Sequence, residues 1–228
     1  MNKDKAVNIL LRYLVATLGL ILVAVGVALS IKSDLGTAPI SCPPYVVNLS
    51  NGKFTVGQYT MMMHAIFIIT QVILLRKNFK LRYLMQIPAA LVFGLLTDAA
   101  IMAFDWIDVS AYIPRMILCI LTVIVTALGV SLEVIGGAWM LAGEQTTAAL
   151  AEVSGKPFSQ VKIAFDVFLV ILSAIFAWIV FNNPLGDGHN NVIREGTLIL
   201  AIFTGLCMRL TDPLCEKLFG KMLNGKKS

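Results

Sequence analysis

The chain has 228 residues, of which 58% are apolar and 14% charged, with a net charge of +5 and a mean hydropathy of +0.84. A soluble domain carries roughly 25% charged residues, so this composition excludes a water-soluble globular protein and names the lipid bilayer as a partner. The positive balance is then a matter of topology rather than a nucleic-acid footprint, and no nucleic acid is expected to bind.

The first apolar run, 10–31, follows Lys3 and Lys5 and closes on Ala28-Leu29-Ser30, which imitates a signal peptide. It outruns a signal-peptide core, and the same pattern returns in mid-chain before Ser131-Leu132-Glu133, so it reads as a retained helix. Further runs near 56–75, 83–104, 113–135, 161–181 and 195–211 are each about long enough to cross a bilayer. The expected fold class is an all-α membrane protein with six transmembrane helices.

Between the first two spans, Lys32 to Thr55 is too long and too apolar for a turn. It holds Leu35-Gly36-Thr37-Ala38-Pro39, then Ser41-Cys42-Pro43-Pro44. Residues 32–38, fully extended, reach at most ~25 Å, enough to dip to the middle of a hydrocarbon core about 30 Å thick. A helix from about Pro39 to Leu49 would climb back out, with proline suited to its first turn and Gly52 to its end. The segment from Ile135 to Ser159, with Gly136-Gly137, Gly143-Glu144-Gln145-Thr146-Thr147 and Gly155, has the same plan. Two such re-entrant helices would aim their N-termini at the membrane centre, a natural site for an anion or carboxylate. The alternative is a pair of interfacial loops resting on the membrane.

The two halves repeat. At an offset of 103, Arg12–Ile31 lies on Arg115–Val134 without gaps and with seven identities: Arg12, Leu18, Ile21, Ala24, Gly26, Val27 and Leu29. Gly52-Lys53 falls on Gly155-Lys156, and Ser41-Cys42-Pro43-Pro44 on Glu144-Gln145-Thr146-Thr147. Three spans per copy make the second copy inverted, with repeats at 1–110 and 111–228, an architecture of secondary transporters. Thirteen basic residues (Lys3, Lys5, Arg12, Arg76, Lys77, Lys80, Arg82, Lys156, Lys162, Lys217, Lys221, Lys226 and Lys227) fall on one side and four on the other, so both termini are expected in the cytoplasm. The Asn182–His189 stretch, an insertion in the second copy, reads as an external loop.

Ionisable groups inside spans cost at least ~2.5 kcal/mol on insertion scales and need a reason. Asp98 in the third span and Arg209 in the sixth occupy matching positions. They are expected either to pair across the pseudo-two-fold axis, to serve substrate or gating, or to stand unpaired near an interface. Glu133 matches Ser30, and Glu144 sits at the tip of the second re-entrant segment; these two are the best candidates for coupling to a proton or cation. Lys162 and Asp166 suit an i,i+4 pair near the cytoplasmic face. His64, Gln71 and Gln86 read as structure and helix–helix glue, and Arg12 and Arg115 as interfacial anchors.

No HExxH metalloprotease, P-loop, Rossmann or paired-aspartate protease signature occurs. The cysteines Cys42, Cys119, Cys207 and Cys215 have no ligand spacing. Neither enzyme activity, cofactor nor metal is expected.

At Leu35-Gly36-Thr37-Ala38-Pro39 and Gly94-Leu95-Leu96-Thr97-Asp98 the chain resembles the bacterial YczE/YitT-like membrane protein family. It lacks the soluble C-terminal domain of the YitT branch and so is more similar to the YczE branch. The resemblance implies a bacterial inner-membrane protein, usually presumed a transporter; Gly143-Glu144-Gln145 departs from that family's Gly-x-Gly-Pro-like stretch. The expected function is a small secondary transporter or exporter of an unidentified small metabolite, working by alternating access; a carboxylate-bearing metabolite fits the two helix N-termini. Its substrate would meet Thr37, Ser41, Cys42, Gly143, Glu144, Gln145 and Thr146, with Asp98, Arg209 and Glu133 for coupling or gating. The rival is a non-transporting scaffold or accessory protein. A homodimer is open, though no clean GxxxG motif supports one.

Overall fold

The structure, a computed structural model, describes residues 3–188 and 190–223. Lys226, Lys227 and His189 lie outside the described residues, as do the side chains of Lys3, Lys5, Arg82 and Lys221. The described chain is helical, with no strand longer than an isolated bridge between Gly186 and Asn191. In order, the helices are α1 (Lys3–Ser33), α2 (Cys42–Asn51), α3 (Val56–Leu75), α4 (Gln86–Ala103), α5 (Tyr112–Gly136), α6 (Ala142–Ser154), α7 (Phe158–Phe181) and α8 (Glu195–Cys215). All but α2 and α6 belong to six segments long and apolar enough to cross a membrane. Their outward faces carry large apolar side chains such as Ile66, Ile69, Ile73, Leu95 and Ile179. A helix that is apolar all round is stable only where its surroundings are apolar too.

Local chemistry sets the ends. Thr55 and Gln58 form a capping box that starts α3. Gly137 takes left-handed backbone after α5, and Gly52 and Gly155, at φ 61° and 67°, do the same after α2 and α6. The helix α8 runs four residues beyond the expected stop at 211, with Pro213 inside it. Asp212 is satisfied there by the Ser131 hydroxyl, 2.5 Å away, so it has no need of a turn.

The pair α1 and α5 forms the spine, running antiparallel and close. Gly19 approaches Gly129 and Glu133, Gly26 approaches Thr126, and Gly136 approaches Ala16. Small residues let the two backbones meet. At one end Arg12 donates to the carbonyls of Gly136 and Leu223; at the other Arg115 pairs with Asp34 at 2.8 Å. Both arginines thus tie the chain just past the end of the neighbouring long helix. Around this spine Leu20, Val27, Phe93, Val130 and Met208 join α1, α4, α5 and α8 in the main core.

The short helices meet inside the molecule. A short 3-10 turn, Pro39–Ser41, leads into α2, and a Cβ on Gly143 at the start of α6 would collide with Ile40. Ile40, Phe67, Ala142 and Leu169 pack there as one buried cluster. The N–H of Ala38, ahead of α2, is held by the Ser30 hydroxyl at 3.2 Å, and the N–H of Leu141, ahead of α6, by the Glu133 carboxylate at 3.0 Å.

Candidate functional site

Where the two short helices begin, buried charge collects. Glu144, in the first turn of α6, and Lys162 and Asp166 on α7 line a small cavity of about 20 Å³, room for about one water. Its other walls are apolar or hydroxylic: Val27 and Val130 from the spine, Pro39 and Ile40 from the first tip, Thr126 and Thr204. Lys162 Nζ donates to both oxygens of Asp166 at 2.7 and 2.8 Å and stands 3.9 Å from Glu144 Oε1. Glu133, fully buried in α5, is near enough to feel the charges of Glu144 and Lys162. Three carboxylates therefore share one ammonium, and Oε1 of Glu133 and Oε2 of Glu144 have no hydrogen-bond partner. An ion pair so deep is costly to desolvate and more costly to break.

Above this cluster, at the end where Arg12 sits, a vestibule of about 240 Å³ opens among Tyr13, Tyr83, Gln86, Trp139, Met140 and Gln145. Tyr13 and Trp139 meet edge to face, with ring centroids 5.2 Å apart. Met140 and Gln145 in its wall are one residue from Leu141 and Glu144. A larger groove of about 580 Å³ lies between α3, α6 and α7, walled by Leu74, Leu150, Val161, Ala164, Phe165 and Phe168. Thr70, Thr146, Ser154, Lys156 and Gln160 line it as well, but it holds none of the buried charges.

The opposite end is closed over the first tip by the 182–194 loop. The carbonyl of Val192 accepts from Thr37 N at 2.9 Å, from Thr37 Oγ1 at 3.3 Å and from Thr197 Oγ1 at 3.2 Å. Thr37 also contacts Cys42 Sγ at 3.1 Å, and both residues are buried. The inserted loop, which shows no chemistry in sequence, is thus the cover of this end.

The residues expected to bind substrate are placed in four surroundings. Glu144 lines the cavity, with Gly143 against Ile40 beside it. Gln145 faces the vestibule. Thr37 and Cys42 hold the cover, while Ser41 is buried with its hydroxyl unpartnered. Thr146 joins a polar knot in which Gln71 donates to it at 3.0 Å and exchanges hydrogen bonds with Gln86, linking α3, α4 and α6. His64 is buried, its ring stacked on Phe93 and its two nitrogens without a partner.

Asp98 and Arg209 are not brought together. Asp98 accepts from Thr55 Oγ1 at 2.6 Å and from Gly57 N at 2.9 Å, so it caps the start of α3. Arg209 is exposed and makes no hydrogen bond or ion pair among the described residues. Asp98→Ala should therefore lower stability by about 0.5–2 kcal/mol, and Arg209→Ala by less than about 0.5 kcal/mol. Thermal unfolding in detergent decides this: equal losses would restore a mutual pair.

Lys162 and Asp166 form the i,i+4 pair that their spacing predicts, but both are buried and stand beside Glu144. That spacing is as common on a wetted helix face as in a core, so their burial is not legible from it.

Six apolar helices with a charged, buried centre define a multi-pass membrane protein. The chain belongs to a family of unknown function, DUF6198, whose model matches residues 10–213. No curated protein and no solved structure matches it.

Proposed function

We propose that this protein is a small secondary transporter of a small solute that works by alternating access. One observation carries the reading: Glu144, Lys162 and Asp166 line a small cavity at the meeting point of two short helices. Intramembrane charge is expensive and marks ion or substrate pathways. In this reading α2 and α6 are re-entrant helices, the halves 1–110 and 111–228 are inverted repeats, and the protein lies in a bacterial inner membrane with both termini cytoplasmic. The YczE-like resemblance fits the same picture.

Support for the repeat comes from contacts that survive exchange at the offset of 103. Gly26 against Thr126 maps onto Gly129 against Val23. Ala38 N on Ser30 maps onto Leu141 N on Glu133, and Ile40 against Gly143 maps onto itself. A chance likeness between apolar helices would not reproduce three-dimensional partners.

The test uses the full chain with Cys42 as sole cysteine, reconstituted in vesicles and screened against a broad metabolite panel. A membrane-impermeant maleimide should leave buried Cys42 unmodified at rest and modify it while a transported solute is being exchanged. Glu144→Gln should abolish that exchange. No solute movement together with constant shielding of Cys42 would instead support the scaffold reading.

A further inference from the structure

We infer that the solute is a small organic cation, exchanged for a proton held at Glu144; this rests on the transporter reading above and replaces the carboxylate that two helix N-termini would suggest. The first reason is charge. Lys162 and Asp166 form a neutral pair through two short hydrogen bonds, which leaves Glu133 and Glu144 as surplus acids. Glu144 is only 2% exposed, and its Oε2 is unpartnered beside the cavity it lines. A buried carboxylate whose one neighbouring ammonium, 3.9 Å away, is already held by another acid must carry a proton or meet a further cation. Adding an anionic solute would worsen the excess; adding a cation would relieve it.

The second reason is that neither short helix has an N-terminus free for an anion. On the α2 side, Pro39, Pro43 and Pro44 have no N–H to offer, and those of Ser41 and Cys42 are turned to the Ala38 carbonyl at 2.8 and 3.1 Å. On the α6 side the positive end is already answered by the protein's own acids. Glu133 accepts from Leu141 N at 3.0 Å, and Glu144 occupies the first turn.

The third reason is the vestibule. Its 240 Å³ admit a small molecule only, and Tyr13, Tyr83 and Trp139 line it. Aromatic walls attract cations through their ring faces, and quaternary ammonium groups are their usual guests. Gln145 in its wall is next in sequence to Glu144, and Met140 is next to Leu141, whose N–H Glu133 holds.

The exchange balances. As a monovalent cation approaches Glu144, the carboxyl O–H bond breaks, its electron pair stays on the carboxylate oxygen, and the proton leaves to water in the vestibule. The interior charge is unchanged. Glu144 is faced by Glu133 from α5 and by Lys162 and Asp166 from α7. The neighbouring α3 and α4 bring the uncharged Gln71 and Gln86, with His64 a turn away from Phe67 on α3.

The experiment reconstitutes the full chain in vesicles with a trapped pH-sensitive dye and imposes gradients of tetramethylammonium, choline or guanidinium. These ions keep their charge, so a neutral base leaking across cannot imitate exchange. At least one should drive a saturable counter-flow of protons that is absent from protein-free vesicles and from Glu144→Gln vesicles. Trp139→Ala should raise the half-saturating concentration roughly tenfold and Trp139→Phe much less, with melting curves confirming that each variant is folded. Proton movement with methanesulfonate and with no cation would overturn the cation while leaving transport standing. No response to any cation also overturns it, and solute exchange with Cys42 labelling then decides transport on its own.

Discussion

Lys162→Met is expected to destabilise the protein by about 3–5 kcal/mol, because it strands a buried carboxylate. Asp166 is 2% exposed, and its two oxygens are both held by Lys162 Nζ. Removing the ammonium leaves no other cation in the cavity: its remaining polar groups are Glu144, Thr126 and Thr204. The double variant Lys162→Met/Asp166→Leu removes both charges and fills a similar volume. It should recover most of the loss, since an apolar replacement for a buried pair is often neutral. Lys162→Arg should not rescue, because about 20 Å³ of free space cannot take the larger guanidinium without overpacking, a cost of about 1–3 kcal/mol. Unfolding of the single and double variants in detergent gives the comparison. Equal stability of Lys162→Met and the parent protein would mean that this pair is not buried in the folded molecule. The double variant also separates stability from work: it should fold and exchange nothing, since Glu144 then lacks the charge that faces it.

The spans were legible because long apolar runs have few alternatives, and their ends carried familiar punctuation. Pro39 at the start of the first short helix, Gly52 and Gly155 at the ends of both, and Gly137 after α5 each do what their backbone preferences dictate. The offset of 103 sets Glu144 opposite Ser41, and Glu144 lies in the first turn of α6, beside the segment that holds Ser41. It failed for Asp98 and Arg209, whose correspondence crosses the Asn182–Asn191 insertion. Matching positions in two copies need not touch, and the capping box beginning at Thr55 was the local sign that a carboxylate was wanted at the start of α3. The cation inference departs from the anion expectation for a plainer reason. Counting helix N-termini without counting their N–H groups ignores Pro43 and Pro44, and it overlooks acids that the chain itself supplies. The depth of Lys162 depended on tertiary packing of α6 against α7, which no single-helix pattern contains.

The glycines of the spine should respond to alanine in the order Gly19, then Gly129, then Gly26, although Gly26 and Gly129 are the same position in the two copies. A Cβ on Gly19 would lie 2.6 Å from the Gly129 carbonyl and 2.9 Å from Glu133 N, and backbone cannot step aside without moving a helix. On Gly129 it would meet Val23 N and the Gly19 carbonyl at 2.9 Å, again backbone but less severely. On Gly26 the collision is with the Thr126 hydroxyl, a side-chain atom with no hydrogen bond to lose, which can rotate away. Overpacking of this kind costs about 1–3 kcal/mol, so the first two should fall in that range and the third below it. Unfolding midpoints of the three variants supply the order; Gly26→Ala as costly as Gly19→Ala would put the spine in another register. Gly19→Ala should do more than destabilise. Glu133 Cγ lies 2.9 Å from the same added carbon, and Glu133 holds the Leu141 N–H that starts α6. A shift there moves the acid and the tip together. The tight glycine crossing therefore keeps Glu133 at the depth where its surplus charge bears on Glu144, and helix spacing and coupling should be lost in the same variant.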